Sequence, residues 1–191
     1  MIRGQDRLET VGFSAFTEAT LEDWQLINAH DAEHASHDAD RALGWLRQMD
    51  GPSPYRVSRL EHSLQSATRA EADGADDEMV AVALLHDIGD EIAPLNHAQV
   101  AAAVLRPYVS EKAWWIVNHH GLFQGYYWFH FAGGDPNARD VHRDHEHYKA
   151  CVDFCERWDQ PSFDPNYDTL PLEHFEPKVR ALFAREPRPF F

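Results

Sequence analysis

Residues 79–89 of the chain have the sequence MVAVALLHDIG, in which seven apolar residues directly precede a His-Asp pair. A run that is apolar on all sides is typical of a helix that is buried on all sides. Gly89 gives this helix a place to end. A polar pair after a buried run costs free energy unless a partner satisfies it, and a metal ion is such a partner. The stretch therefore predicts a buried helix whose end presents His86 and Asp87 to a polar site.

Helical patterns extend on both sides of this stretch. Apolar residues recur at helical spacing, and capping residues, Gly and Pro mark the ends of the segments. The predicted helices span residues 21–49 with a break near 30–37, then 57–72, 76–89, 96–106, 110–120, 139–158 and 172–185. Residues 121–137 are rich in aromatic residues and glycine and are predicted to form a loop. No segment has convincing strand-like alternation, so the predicted fold class is all-α, a helical bundle.

The length of the chain, 191 residues, suits a single domain. We predict one domain over residues 1–191, with its core at 55–160 and with the N-terminal helices 14–50 and the C-terminal tail 161–191 packed on it. The net charge is −15, from 32 acidic and 17 basic residues. This charge argues against nucleic acid as a partner, because affinity for phosphate backbones comes mainly from clustered Lys and Arg. It argues equally against anionic membrane surfaces.

The sequence also bears on the compartment. No run is long and apolar enough to cross a bilayer, and the first residues lack the basic-then-apolar layout of a signal peptide. Cys151 and Cys155 lie four residues apart on a predicted helix, which is a poor geometry for a disulfide. We therefore predict a cytoplasmic protein, whose oligomeric state the sequence leaves open.

Residue types that bind metals occur at several predicted helix ends. His62 has apolar neighbours on its own helical face, which predicts that it points inward. The candidate metal ligands are His62, His86, Asp87, His97, either His119 or His120, and Asp159. Imidazoles and carboxylates in this proportion suit Fe, Mn, Zn or Co better than Mg or Ca. A single inward-facing histidine is more often a hydrogen-bonded core residue, so the prediction rests on the joint pattern.

Further histidines stand apart from this set. His30, His34 and His37 share one face of a predicted helix. This face could be a metal site, an exposed acidic surface or a lid. His142 and His145 lie in a charged stretch that favours exposure.

The arrangement of a His, a His-Asp pair after an apolar helix and a distant Asp resembles the HD superfamily. The segments Leu60–Gln65, Glu78–Val80 and Ala83–Gly89 are similar to the mixed-valent diiron oxygenases that cleave organophosphonates. Weaker similarity continues through His97, His119-His120 and Arg157–Asp159. The resemblance covers roughly residues 55–160 and leaves residues 1–50 outside it.

The resemblance implies a site with two iron ions in the Fe(II) and Fe(III) states. The first iron would be held by His62, His86, Asp87 and Asp159. Asp87 would bridge to a second iron held by His97 and His120, and the family's helix end favours His120 over His119. The implied catalytic residues are Asp87, His62 and His86. The implied substrates are O2 and a small organophosphonate, 1-hydroxy-2-(trimethylammonio)ethylphosphonate, with glycine betaine and phosphate as products.

The chain departs from the aminophosphonate-cleaving members of this group at three positions. It has Asp90 where they have a His, Gln124 where they have a Lys, and Pro52, with Tyr55 nearby, where they have a Tyr. These departures indicate a different substrate. The predicted substrate-binding residues are Asp90, Gln124, Tyr126, Tyr127 and Tyr55. Aromatic rings together with the Asp90 carboxylate would suit a quaternary ammonium group through cation–π attraction.

Two alternatives to this function use the same residues. An HD phosphohydrolase would use the same ligands to activate water. A non-catalytic HD module is disfavoured because every ligand position is filled.

Overall fold

The computed structural model describes residues 10–188, and this part of the chain contains eight α-helices and no β-strand. The helices are α1 (Leu21–Ala35), α2 (Asp38–Gln48), α3 (Arg59–Ala72), α4 (Asp77–Leu85), α5 (His97–Leu105), α6 (Glu111–Trp128), α7 (Tyr148–Phe154) and α8 (Leu172–Phe183). A π-helical turn, Cys155–Asp159, directly follows α7. The predicted all-α class is confirmed. No helix among the described residues is long and apolar enough to cross a membrane.

The chain divides into two units, residues 1–38 and 39–191. In the first unit, Thr20 and Asp23 form a capping box at the start of α1, and none of the residues of this helix is buried. His30 and His34 stack with ring centroids 6.4 Å apart on exposed positions of α1. Neither belongs to a group of possible metal ligands within residues 10–188. The single-domain organisation over residues 1–191 stays a prediction.

Helix α4 is the most buried element of the second unit. The side chain of Asp76 accepts a hydrogen bond from the backbone N–H of Met79 at 2.8 Å and so caps the helix. Every residue from 79 to 85 is buried, because α3, α6 and α8 all pack against α4. Full burial of one Val or Leu side chain contributes about 1.5–3 kcal/mol. The apolar run therefore fixes the position of the residues that follow it, His86 and Asp87.

Gly89 lets the start of α5 approach the end of α4 very closely. A Cβ atom at Gly89 would lie only 2.2 Å from the carbonyl oxygen of His97 and 2.9 Å from the Cβ of Val100. Only a residue without a side chain allows this contact. The glycine therefore brings His97, the first residue of α5, next to the His86-Asp87 pair.

Two predictions about the second half of the chain are wrong. Residues 121–128 are not a loop, because α6 continues to Trp128. Gly121 and Gly125 each cost about 1 kcal/mol in a helix, but the complete burial of Phe123 between them favours helix. Gln124, Tyr126 and Tyr127 therefore lie on α6 rather than on a loop.

The predicted long helix 139–158 is also interrupted. The structure has a 3-10 turn at Ala138–His142, a further turn, and then the short helix α7 and the π-helical turn. Residues 139–147 contain mostly charged residues and histidine. They offer no apolar stripe that a helix could bury, so tertiary packing does not support a helix there.

The close contact at Gly89 leads to a stability prediction. We expect Gly89→Ala to lower the free energy of unfolding by about 1–3 kcal/mol, because the added methyl group meets the backbone of His97. Thermal unfolding followed by circular dichroism would measure the change.

Gly44→Ala is the matched control. Gly44 lies within α2, and a Cβ there would have no neighbour within 4 Å. This variant should gain roughly 0.5–1 kcal/mol, since alanine favours helix over glycine. Equal melting temperatures for Gly89→Ala and the wild type would contradict the prediction.

Candidate metal centre

The predicted ligand residues come together from five separate parts of the chain. His62 lies on α3, His86 and Asp87 directly follow α4, His97 begins α5, His120 lies within α6, and Asp159 ends the π-helical turn. Five of the six residues are at most 5 % exposed, and the side chain of His97 is 26 % exposed. Within residues 10–188, two groups have the spacing of possible metal ligands, His62-His86-Asp159 and His86-Asp87-His120.

The carboxylate of Asp87 lies between two pairs of histidines. Its Oδ2 atom is 3.5 Å from Nε2 of His62 and 3.6 Å from Nε2 of His86. Its Oδ1 atom is 3.3 Å from Nε2 of His97 and 3.2 Å from Nε2 of His120. Each oxygen of one carboxylate thus faces a different pair of imidazoles.

Asp159 lies close to only one of these two pairs, His62 and His86. Its Oδ1 atom is 3.4 Å from Nε2 of His62 and 3.6 Å from Nε2 of His86. The cluster therefore has a first half, His62, His86 and Asp159, and a second half, His97 and His120. Asp87 connects the two halves.

The four histidine rings are oriented in the same way by the backbone. Each ring has its Nδ1 atom within hydrogen-bond distance of a carbonyl oxygen. The acceptors are Ser162 for His62 at 3.0 Å, Ala83 for His86 at 2.8 Å, Pro94 for His97 at 3.1 Å and Val117 for His120 at 2.7 Å. A carbonyl can only accept, so the proton is on Nδ1 and the lone pair of each neutral ring is on Nε2. Metal-ligating histidines are held by such bonds.

Several atoms of the cluster lack a suitable partner within the protein. Oδ2 of Asp159 is buried and has no hydrogen-bond partner. Nε2 of His62 lies 3.3 Å from Nε2 of His86, so two lone pairs face each other when both rings are neutral. A cation between these atoms would remove both problems. The donor set of imidazole nitrogens and carboxylate oxygens fits a transition metal such as iron.

The charges of the cluster shift the pKa values of its members. Burial opposes the protonation of His62, but the hydrogen bond and the charge of Asp159 raise the pKa of this imidazole above its ordinary value. Burial also opposes the ionisation of Asp159, yet His86 and His62 hold the pKa of its carboxyl below the usual range. His86 and then His120 likewise lower the pKa of Asp87 against the effect of burial. These shifts favour the ionised form of both carboxylates, which is the form that binds a cation.

His119 and His142 lie elsewhere. The ring of His119 stacks on Trp115 with centroids 4.2 Å apart. His142 contacts the ring of His119 edge-on, with centroids 4.8 Å apart. His145 stacks on the same indole at 4.2 Å. Of the two alternatives left open by the sequence, the structure brings His120 to the cluster.

A cavity of about 460 Å³ opens onto the cluster. Of the predicted substrate residues, Tyr55, Gln124 and Tyr127 line this cavity. Tyr126 does not line it; its ring lies against Arg139, whose Cζ is 3.8 Å from the ring centroid. The helical course of residues 121–128 explains the difference, since neighbouring residues of a helix point in different directions.

Asp90 also differs from its prediction. It is not part of the cavity lining, and its Oδ2 atom lies 2.6 Å from Nη2 of Arg59. The carboxylate is therefore neutralised by a guanidinium and is not free to attract a cationic substrate. This pairing argues against a direct contact between Asp90 and a quaternary ammonium group, and the assignment of Asp90 to substrate binding stays a prediction.

Sequence reasoning missed several residues of the cavity wall, namely Arg59, Gly121, Gln160 and Phe163. Arg59 precedes His62 by three residues on one helix, and this spacing is a signal that could have identified it. Phe163 stacks on His62 with centroids 4.4 Å apart and contacts Tyr55 at 4.8 Å. No local pattern connects Phe163 with these residues, which are about a hundred positions away.

The two halves of the cluster lead to a prediction about metal content. If each half holds one metal ion, His97→Ala should reduce the bound metal from about two ions per chain to about one, because only the second half loses a ligand. Metal analysis of purified protein would measure this number. Since His97 is partly exposed, the variant should remain folded.

His119→Ala is the matched control for this substitution. It removes a histidine adjacent to His120 that packs on Trp115 instead of the cluster. This variant should keep both metal ions. Retention of both ions by His97→Ala would exclude a ligand role for that residue.

Comparison with known proteins agrees with this geometry. The family model described as HD domain matches residues 59–160, which is more than half of the chain and includes all six residues of the cluster. No curated protein gives a significant match. HD domains are usually metal-dependent enzymes, and the cluster supplies groups that could hold metal ions. The chain therefore belongs to the HD-domain family.

Proposed function

We propose that the protein is a diiron oxygenase that uses O2 to cleave the carbon–phosphorus bond of 1-hydroxy-2-(trimethylammonio)ethylphosphonate. The observation that carries the proposal is the position of Asp87, whose two oxygens face two different pairs of histidines. A carboxylate shared in this way is suited to two neighbouring cations. A single ion held by His62, His86 and Asp159 would leave His97 and His120 on the other side of Asp87 without an ion to bind.

The ligand roles follow from the two halves of the cluster. His62, His86 and Asp159 would hold the first iron, His97 and His120 the second, and Asp87 would contact both. The hydrogen bonds from Nδ1 to the backbone orient each ring so that its Nε2 would be the atom that binds an ion. When bound, the irons would supply Lewis acidity and the activation of O2.

The proposed reaction balances in atoms and electrons. The substrate carbon that carries the hydroxyl loses its C–H and C–P bonds and becomes the carboxylate of glycine betaine. Its electrons reduce one molecule of O2, and each product gains one oxygen atom. Because the substrate supplies all the electrons, the reaction requires no separate reductase.

The cavity supports a small substrate with a quaternary ammonium group. Its volume of about 460 Å³ lies within the usual range for small-molecule sites. The aromatic residues of its wall are Tyr55, Tyr127, Trp128 and Phe163. Each ring face contributes about 0.5–2 kcal/mol to the binding of a desolvated cation. With Asp90 paired to Arg59, we assign recognition of the ammonium group to these rings. A cytoplasmic location without nucleic acid or membrane partners stays a prediction.

Stoichiometry and spectroscopy test the proposal together. Iron-loaded protein prepared without O2 should show a coupled Fe(II)/Fe(III) electron paramagnetic resonance signal that changes when the phosphonate is added. On exposure to O2, it should consume O2 and release phosphate in equal amounts. Release of phosphate from a phosphate monoester without O2 consumption would instead identify the protein as a phosphohydrolase.

The aromatic wall leads to a prediction about substrate preference. We expect wild-type protein to favour the trimethylammonium substrate over its primary-amine analogue by roughly tenfold or more in kcat/KM. Tyr127→Leu should reduce this preference by roughly threefold to tenfold, because one ring face is lost. Competition between the two substrates would measure it.

Tyr126→Leu is the matched control. It removes the neighbouring tyrosine on α6, which contacts Arg139 outside the cavity. The preference should stay within about twofold of wild type, well below the loss of one ring face. If the two variants behave alike, Tyr127 does not contact the ammonium group.

A further inference from the structure

Arg59 places a positive charge in the wall of the cavity. It begins α3, and its side chain is 29 % exposed. Among the residues that line this cavity, all within the described part of the chain, Arg59 is the only lysine or arginine. The other ionisable residues of the lining that belong to the cluster are Asp87, Asp159 and the histidines. An anionic group that enters the cavity therefore has one side-chain cation to meet apart from the metal-binding cluster.

Two carboxylates hold the guanidinium of Arg59 in place. Nη2 lies 2.6 Å from Oδ2 of Asp90, and Nη1 lies 3.5 Å from Oδ2 of Asp87. The Cζ atom lies 5.4 Å from the centroid of the Tyr55 ring. A guanidinium has five N–H donors. Those not directed at the two carboxylates are available to a further acceptor.

The exposure of the ion pair differs between its partners. The side chain of Asp90 is only 10 % exposed, whereas that of Arg59 is 29 % exposed and borders the cavity. A pair that served only to connect α3 with the turn after α4 would not need the guanidinium at the cavity wall. Asp90 therefore holds the guanidinium of Arg59 in position, and Arg59 is the residue of the pair that faces the cavity.

We propose that Arg59 binds an oxyanion of the substrate and that Asp90 positions it. Under the proposed function, on which this assignment rests, the oxyanion is an oxygen of the phosphonate. The short distance between Arg59 and Asp87 puts the guanidinium beside the carboxylate that both halves of the cluster share. A phosphonate bound at the cluster thus lies within reach of the guanidinium. The planar fork of arginine suits the oxygens of a tetrahedral anion.

Binding of methylphosphonate to the iron-loaded protein tests the proposal. This probe carries the oxyanion but not the hydroxyl group, so it reports binding without turnover. Isothermal titration calorimetry under anaerobic conditions would compare wild type with Arg59→Gln and Arg59→Lys. We expect Arg59→Gln to weaken binding by roughly tenfold to a hundredfold, since hydrogen bonds to a charged group are lost. Arg59→Lys should give a smaller loss, because it keeps the charge but not the fork.

Arg56→Gln is the matched control. It removes the same charge from an exposed position three residues earlier that does not line the cavity. Its affinity for methylphosphonate should stay within about twofold of wild type, compared with the larger loss expected for a direct contact. Metal analysis of the same samples should find unchanged iron in all variants, because Arg59 is not a ligand.

An affinity of Arg59→Gln equal to that of wild type, with iron retained, would overturn the proposal. Acetate serves as a second probe in the same titrations. If Arg59→Gln weakens the binding of acetate but not of methylphosphonate, the assignment of Arg59 to the phosphonate is overturned, because the group that it binds would be a carboxylate. The assay contains no O2 and no cleavable substrate. Failure of carbon–phosphorus cleavage would therefore refute the proposed function while leaving the result for Arg59 interpretable.

Discussion

Two ionised carboxylates, Asp87 and Asp159, lie inside the helical core, and the surrounding structure must supply the positive charge that makes this tolerable. An isolated carboxylate in an apolar interior costs several kcal/mol. Helix α4 drives Asp87 into this position because its own residues are almost completely buried. The π-helical turn after α7 likewise ends in the buried position that Asp159 occupies. The four histidines around them follow from this constraint, since imidazoles can meet a carboxylate directly or share a cation with it.

The backbone controls which ring atoms face the carboxylates. His86, His97 and His120 each bond the carbonyl of the residue three positions earlier, so their orientation is set within a single turn of chain. His62 is the exception, because its acceptor is Ser162, which follows the π-helical turn. The first half of the cluster therefore forms only when the segment near residue 160 has packed against α3. The second half depends instead on the approach of α5 to Gly89.

The parts of this structure that sequence could predict are those determined by nearby residues. The apolar run before His86, the helical fold class and the residues that form the cluster all follow from short-range patterns. The continuation of α6 beyond His120 could not be predicted, because two glycines lower its helix propensity and only the burial of Phe123 offsets them. The pairing of Asp90 with Arg59 was missed because it joins α3 to the turn after α4, two segments about thirty residues apart in the chain. Phe163 reaches His62 through tertiary packing alone.

The two halves of the cluster differ in their access to solvent. The side chains of His62, His86 and Asp159 are at most 3 % exposed, whereas that of His97 is 26 % exposed. If each half holds an ion as proposed, the ion in the first half would be bound by side chains that are almost fully buried. The ion in the second half would have one partly exposed ligand, His97. The two ions should therefore differ in residence time. The ion in the second half should exchange with metal ions in solution faster than the ion in the first half.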